Sequence, residues 1–195
     1  MIGRDEAIAR GIGCASMLDA LQLGFLYDLA RVAPDGAAAE AGVHKGGSLA
    51  TWSAARVGRG RIIAVDNFYN RPANAPQEKR VARFLASMAR MGIPCELIEC
   101  DSWLGPGRIG ERLAFCFVDA CHGDEGISRD VPAYTGAMMP GGIACFHDYG
   151  TRKCPAVKRR VDEWNATARW EVVGFAGSVI ALRCPYEVGS RTTTN

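Results

Sequence analysis

The sequence has no apolar run near the roughly 20 residues that span a membrane as a helix, so no membrane partner is expected. Its opening residues, Met1-Ile2-Gly3-Arg4-Asp5-Glu6, lack an apolar signal core, which points to a cytoplasmic chain. No Cys-x-x-Cys pair occurs, so the spacing of zinc ribbons and thioredoxin-like redox sites is missing. An excess of one charge is missing too. Lys and Arg number 23 against 21 Asp and Glu, for a net charge of +2, and both signs are spread along the chain. A basic face built for nucleic acid is therefore not expected. There is no internal repeat, no low-complexity tract and no second domain.

What remains is a chain of 195 residues with 48% apolar content. That length suits one domain with a core of its own, without disulfide or metal staples. Residues 1–184 are expected to form it. Residues 1–15 are expected as a segment able to move over a site, and residues 185–195 as a polar, disordered tail. The eight cysteines are Cys14, Cys95, Cys100, Cys116, Cys121, Cys145, Cys154 and Cys184. Cys95, Cys100, Cys116 and Cys145 fall in strand-like runs, where a reduced thiol acts as a small hydrophobe.

Strand and helix signals alternate. Residues 16–31 read as a helix capped by Ser16, with Leu18, Leu21, Phe25, Leu29 and Val32 at spacings of three and four. Ala37 to Ala41 leads into a glycine-rich loop, and residues 48–57 form a second helix. Arg61 to Asp66 is an apolar run closing on an acid, as in strands buried on both faces of a parallel sheet. A helix over 76–91 presents Val81, Phe84, Leu85, Met88 and Met91. Strands follow at 95–100, 113–118 and 143–146, the last entered through a tight turn at Pro140-Gly141-Gly142. Helices are expected at 127–138 and 156–168. The closing strands, 170–175 and 178–183, are joined too tightly for a crossover and must be antiparallel. The pattern predicts an α/β, Rossmann-like, doubly wound and mostly parallel seven-stranded sheet with a reversed C-terminal strand.

In such sheets ligands bind at the carboxyl ends of the strands, near the point where strand order reverses. The first strand ends on Glu40, and the next four end on Asp66, Asp101, Asp119 and His147-Asp148. One such acid could cap the following helix; a whole series is harder to explain so. The loop Gly42-Val43-His44-Lys45-Gly46-Gly47-Ser48 lets backbone approach a ligand. It is not the dinucleotide fingerprint, because His44 takes the second glycine position. It is not a Walker loop, because no lysine separates Gly47 from Ser48. A glycine loop with Asp66 one strand–helix–strand unit downstream predicts a nucleoside ligand without a pyrophosphate.

Glu40-Ala41-Gly42-Val43-His44-Lys45-Gly46-Gly47-Ser48 resembles the first motif of class I S-adenosylmethionine-dependent methyltransferases. Its Gly-Gly-Ser ending is similar to a small-molecule O-methyltransferase branch. Phe117-Val118-Asp119-Ala120-Cys121-His122 resembles that branch's strand followed by Asp and His. Met139-Pro140-Gly141-Gly142-Ile143 through His147-Asp148-Tyr149 resembles its Pro-Gly-Gly turn and acidic strand end. The resemblance covers roughly residues 20–184.

The resemblance implies S-adenosylmethionine as cofactor and a hydroxyl of a small molecule as acceptor. Gly42, Gly46, Gly47 and Ser48 would pass the methionine part. Glu40 would anchor that loop or the cofactor's ammonium. Asp66 would hold the ribose, and Asp101 with Ser102 the adenine edge. Asp119 would lie near the sulfonium. In metal-dependent members Asp119, His147 and Asp148 would hold magnesium or another divalent cation. His147 departs from the all-carboxylate pattern, which loosens magnesium preference, admits a softer metal, or frees His147 as a base. Asp119, His122, His147 and Asp148 are the groups available to take the acceptor's proton or to hold the metal.

Blander readings stand beside these. His122 could cap the helix after Gly123 or bond a neighbouring carboxylate, and His44 could be a plain loop residue. Trp52, Trp103, Trp164 and Trp170 read as packing, with Trp103 beside the adenine position. Asp124, Glu125 and Asp130 read as support for a helix N-terminus. Lys153, Lys158, Arg159 and Arg160 read as a solvated helix face, or as a patch for an anionic substrate. Competing functions are a catalytically silent binder of the same cofactor and a nicotinamide-dependent oxidoreductase. The absent fingerprint and the missing Tyr-x-x-x-Lys pair weigh against the oxidoreductase. An RNA methyltransferase is disfavoured by the low net charge. So short a chain must enclose its substrate with residues 67–76, with its N-terminal segment or with a second subunit in a homo-oligomer.

Overall fold

Four runs of the chain, apolar except for Glu40, become central strands: β1 (Ala37–Ala41), β2 (Ile62–Val65), β4 (Leu113–Val118) and β5 (Met138–Phe146). Every residue of β1, β2 and β4 is buried, as expected where helices cover both faces of a parallel sheet. A computed structural model describes residues 2–69 and 76–186. It adds β3 (Glu96–Ile98), β6 (Glu171–Ala176) and β7 (Val179–Arg183) to complete one sheet in the order β3-β2-β1-β4-β5-β7-β6. β1 pairs in parallel with both β2 and β4, and the order reverses between β1 and β4. β7 runs antiparallel to β5 and β6. The expected seven-stranded sheet with a reversed C-terminal strand is therefore present.

Helices α1 (Arg4–Gly13), α2 (Ala20–Val32), α3 (Gly47–Ser53) and α4 (Gln77–Arg90) share one apolar cluster with one sheet face. α5 (Gly105–Ile109), α6 (Asp124–Gly136) and α7 (Pro155–Ala168) cover the other. No helix among the described residues is long and apolar enough to cross a membrane.

Several local expectations change. α2 is capped by Asp19, not Ser16, because Asp19 and Gln22 form a reciprocal capping box. Ser16 Oγ instead accepts from the Leu18 amide. Its buried face is Leu23, Leu26, Tyr27 and Ala30, whereas Leu21 and Val32 are exposed. The Pro140-Gly141-Gly142 turn lies inside β5. Leu113 opposes Met138 while Phe115 opposes Ile143, so the extra residues form a bulge that Gly141 accommodates at φ +75°. Cys95 and Cys100 flank β3 rather than fill it. Residues 102–109, given no element by the sequence pattern, form a short 3-10 turn and α5.

Residues 4–13, within the segment expected to move, form α1. Its Ala7 carbonyl accepts from Thr51 Oγ1 of α3. Of the expected lid at 67–76, residues 70–75 lie outside the described residues, as do 187–195 of the tail. Arg56, overlooked in the sequence, is 1% exposed. Its guanidinium donates to the carbonyls of Ala30, Pro34 and Gly36, which fastens the end of α2 to the start of β1. Burial lowers its pKa to about 10, so it remains a cation.

Candidate functional site

At the strand-order reversal the chain opens a cleft of about 1240 Å³, roomy against the ~300–1,000 Å³ of common ligand pockets. Gly42, Asp66, Asp101, Ser102, Asp119, His122, His147 and Asp148 line it. They come from loops after β1, β2, β3, β4 and β5, and only the parallel sheet brings them together. Among the described residues, Glu40, Gly46, Gly47 and Ser48 do not line it.

Glu40 lies beneath the loop, fully buried. Ser48 Oγ donates to its Oε1 at 2.6 Å and Trp52 Nε1 to its Oε2 at 2.5 Å. Burial raises its pKa to about 8, against the lowering effect of those two bonds and with help from the charges of Asp119 and Asp66. At neutral pH the carboxyl is mostly protonated. Trp52 can only donate, so Oε2 accepts in that bond. Glu40 is thus a loop anchor that ties β1 to α3. Trp52 had been read as packing alone.

Gly42 has φ +84°, and a Cβ there would sit 2.1 Å from the Asp119 carbonyl oxygen. Glycine is needed because the ends of β1 and β4 almost touch. Gly47 answers to a different neighbour: a Cβ would lie 2.7 Å from Ser16 Cβ and 2.8 Å from the Gly11 carbonyl. Its smallness serves the docking of the N-terminal segment.

After β2, Asp66 accepts from the amides of Phe68 at 2.7 Å and His44 at 3.2 Å. It thereby joins the glycine loop to the turn that follows β2. Asn67 Nδ2 donates to Asp101 Oδ1 at 2.7 Å, linking the ends of β2 and β3. Ser102 is buried, and its carbonyl accepts from the Tyr134 hydroxyl. Trp103 lines the cleft with the Arg129 guanidinium 4.9 Å from its ring centroid.

The β4 and β5 ends carry the ionisable groups. His147 Nδ1 and Asp119 Oδ1 are 2.9 Å apart. A carboxylate only accepts, so Nδ1 donates. Ser178 Oγ lies 3.1 Å from His147 Nε2 and accepts from Gln22 Nε2 at 3.0 Å. Both ring nitrogens of His147 are therefore engaged. Burial pulls its pKa down, but the Asp119 bond and the charges of Asp119 and Asp148 outweigh burial and leave it raised. Ser178 and Gln22 have no signal in the sequence, because they come from the β6–β7 turn and from α2.

Asp148 sits at φ +59° after β5. Its Oδ2 lies 3.0 Å from His122 Nδ1, 3.4 Å from Cys154 Sγ and 3.8 Å from His147 Nδ1. His122 thus takes up a carboxylate, while Gly123 supplies the helix N-cap. Among the described residues no protein group pairs with His122 Nε2.

The remaining charges divide. Asp124 binds Arg159 and Arg160, which pull its pKa down to about 2. Lys158 pairs with Asp162 and Glu125 with Arg129. Most of the basic cluster is thus neutralised on the surface, and only Lys153 of the four reaches the cleft. Asp130 does not support a helix N-terminus. It is fully buried in mid-α6, where burial raises its pKa to about 6.

A glycine loop after β1, acids at successive strand ends and a reversed last strand define the class I S-adenosylmethionine-dependent methyltransferase fold. The chain belongs to the methyltransferase domain family, whose model matches residues 39–149. No curated protein sequence matches it. Solved structures with the same fold include the SAH-bound methyltransferase PaMTH1 of Podospora anserina. It is 17% identical over 92% of this chain and 88% of that one, at a TM-score of 0.70. The O-methyltransferase from Bacillus cereus in complex with SAH is 15% identical over 94% and 93%, at 0.69. CalS11, a TDP-rhamnose 3′-O-methyltransferase of calicheamicin biosynthesis, is 18% identical over 92% and 93%, at 0.61.

Proposed function

We propose that the protein transfers a methyl group from S-adenosylmethionine to a hydroxyl of a small molecule. The observation that carries this reading is the cleft at the switch point, where Gly42, Asp66, Asp101 and Asp119 converge. Family membership and the SAH-bound relatives support the cofactor, and the O-methyltransferase relatives support an oxygen acceptor.

S-adenosylmethionine, when bound, supplies an electrophilic methyl group. The chain's residues orient the partners and move a proton. Asp66 has lone pairs beyond its two amide bonds with which to accept from the ribose hydroxyls. Asp101 and Ser102 would meet the adenine edge, and Gly42 and Asp119, which also line the cleft, would pass the methionine part. Holding acceptor and methyl in line supplies much of the rate.

The acceptor hydroxyl needs a base. His147 is poorly placed for this because Asp119 and Ser178 occupy both its nitrogens. His122 is better placed: its Nδ1 lies 3.0 Å from Asp148 Oδ2, and its Nε2 is the atom to take the hydroxyl proton. His147 then serves to position Asp119.

The magnesium site implied by the resemblance fits poorly. Asp119, His147 and Asp148 place ligand atoms within 4.8 Å of one another. Magnesium wants oxygen donors, and the imidazole in this set is already committed on both sides. No step depends on it.

Calorimetric titration with S-adenosylhomocysteine and with NADH tests the reading. Micromolar binding of the first and none of the second is expected. The reverse would remove the methyltransferase reading altogether.

A further inference from the structure

A second group of donors lies beside the first, and neither the family motifs nor the proposed reaction employs it as a set. His122 follows β4, Asp148 follows β5, and Cys154 precedes α7. Their ligand atoms all lie within 4.8 Å of one another, and all three residues line the cleft. Asp148 Oδ2 is the common centre, 3.0 Å from His122 Nδ1 and 3.4 Å from Cys154 Sγ. Side chains from two loops, the one after β4 and the one joining β5 to α7, meet at one carboxylate oxygen.

The chemistry of this set differs from a magnesium site. One imidazole nitrogen, one carboxylate oxygen and one thiol sulfur make a mixed, partly soft donor set. Zinc and its neighbours take nitrogen and sulfur readily, usually with four ligands in a tetrahedron. Magnesium demands oxygen and gains nothing from a thiol. Three protein ligands beside an open cleft also leave a fourth position for water or a ligand, as in sites that are not purely structural.

We infer that His122, Asp148 and Cys154 form a binding site for a zinc-class divalent cation. Cys154 binds as thiolate and its proton leaves to solvent; no electron is transferred. His122 cannot serve the ion through Nδ1 and act as a neutral base through Nε2 in the same state. Metal occupancy and base function therefore exclude one another. The site itself does not depend on the methyltransferase reading, and its test reads the metal rather than turnover.

The test is titration of the whole chain with zinc and with cobalt(II), in the wild type and in Cys154→Ser and His122→Ala. One equivalent of zinc should bind, and millimolar magnesium should not compete. Cobalt should give a near-ultraviolet thiolate charge-transfer band and the visible bands of a tetrahedral ion. Cys154→Ser should abolish the thiolate band. Each variant should weaken zinc binding by about tenfold or more, since losing a direct ligand costs no less than losing an outer partner. Circular dichroism of each variant checks that the fold is intact. Zinc affinity unchanged in both folded variants, or a thiolate band that persists in Cys154→Ser, would overturn the assignment and return His122–Asp148 to a simple ion pair.

Discussion

On the β1–β3 side of the cleft, Asp66 and Asp101 accept from backbone amides and an asparagine, groups that do not change protonation. On the β4–β5 side, Asp119 and Asp148 face His147, His122 and the Cys154 thiol, each of which can gain or lose a proton. Both sides are rows of strand-end acids, and the sequence makes them look alike. The partners separate them: the first side can hold a ligand without altering its own charge, and the second can move a proton. Beneath the first side Glu40 is an exception, a buried carboxyl that keeps its proton and acts as a strut.

The largest break in this contrast should come from His122→Ala. Losing a positioned base costs about 10²–10⁴ in kcat, while S-adenosylhomocysteine affinity should stay near wild type. If turnover persists and His147→Ala abolishes it instead, the base lies on His147.

Glu40 offers the next largest effect, on stability. Its pKa is about 8 in the fold against 4.5 for a free carboxyl. Between those values the folded chain keeps a proton that the unfolded chain gives up. The Glu40 contribution is therefore greatest below the lower value and declines as pH rises toward the upper one. The slope is about 1.4 kcal/mol per pH unit. Glu40→Gln keeps a neutral side chain without this cost, so it should gain on the wild type as pH rises. Urea unfolding of both proteins at about pH 5 and about pH 7.5 measures the change. A constant difference would mean that Glu40 is ionised in the fold.

Asp66→Ala sharpens the contrast from the other side. Hydrogen bonds to a charged group are worth about 1.5–3 kcal/mol, so cofactor affinity should fall by about 10–100-fold, with a smaller loss in kcat at saturation. Calorimetry against S-adenosylhomocysteine reads this directly. The smallest effect should be that of Ser178→Ala, which removes the partner of His147 Nε2. About 1 kcal/mol, or roughly fivefold in kcat, is expected, together with a displaced pH–rate profile. A merely structural role would leave that profile where it was.

Much of the site was legible because it follows strand ends. Asp66, Asp101, Asp119 and His147-Asp148 each close an apolar run, and a parallel sheet must bring such ends to one edge. The errors arose where one local signal had two outcomes. Gly42 and Gly47 read alike in sequence, yet one makes room for Asp119 and the other for Ser16. Ser16 is a suitable cap by residue type, but Asp19 has Gln22 at the spacing for a reciprocal pair and takes the cap instead. Cys154 looked like one cysteine among eight.

The sequence by itself determined the doubly wound sheet, its reversed last strand and the family of its loop. Those depend on periodicity, on turn residues and on short motifs, all of which are local. Only the tertiary structure decided which acids carry titratable partners, that Glu40 is held by Trp52 and Ser48, and that His122 and Cys154 meet at Asp148. The physical reason is range. A hydrogen bond or a metal ligand acts over about 3 Å, and His122 reaches Asp148, and Ser178 reaches His147, only after the sheet has brought their strand ends together.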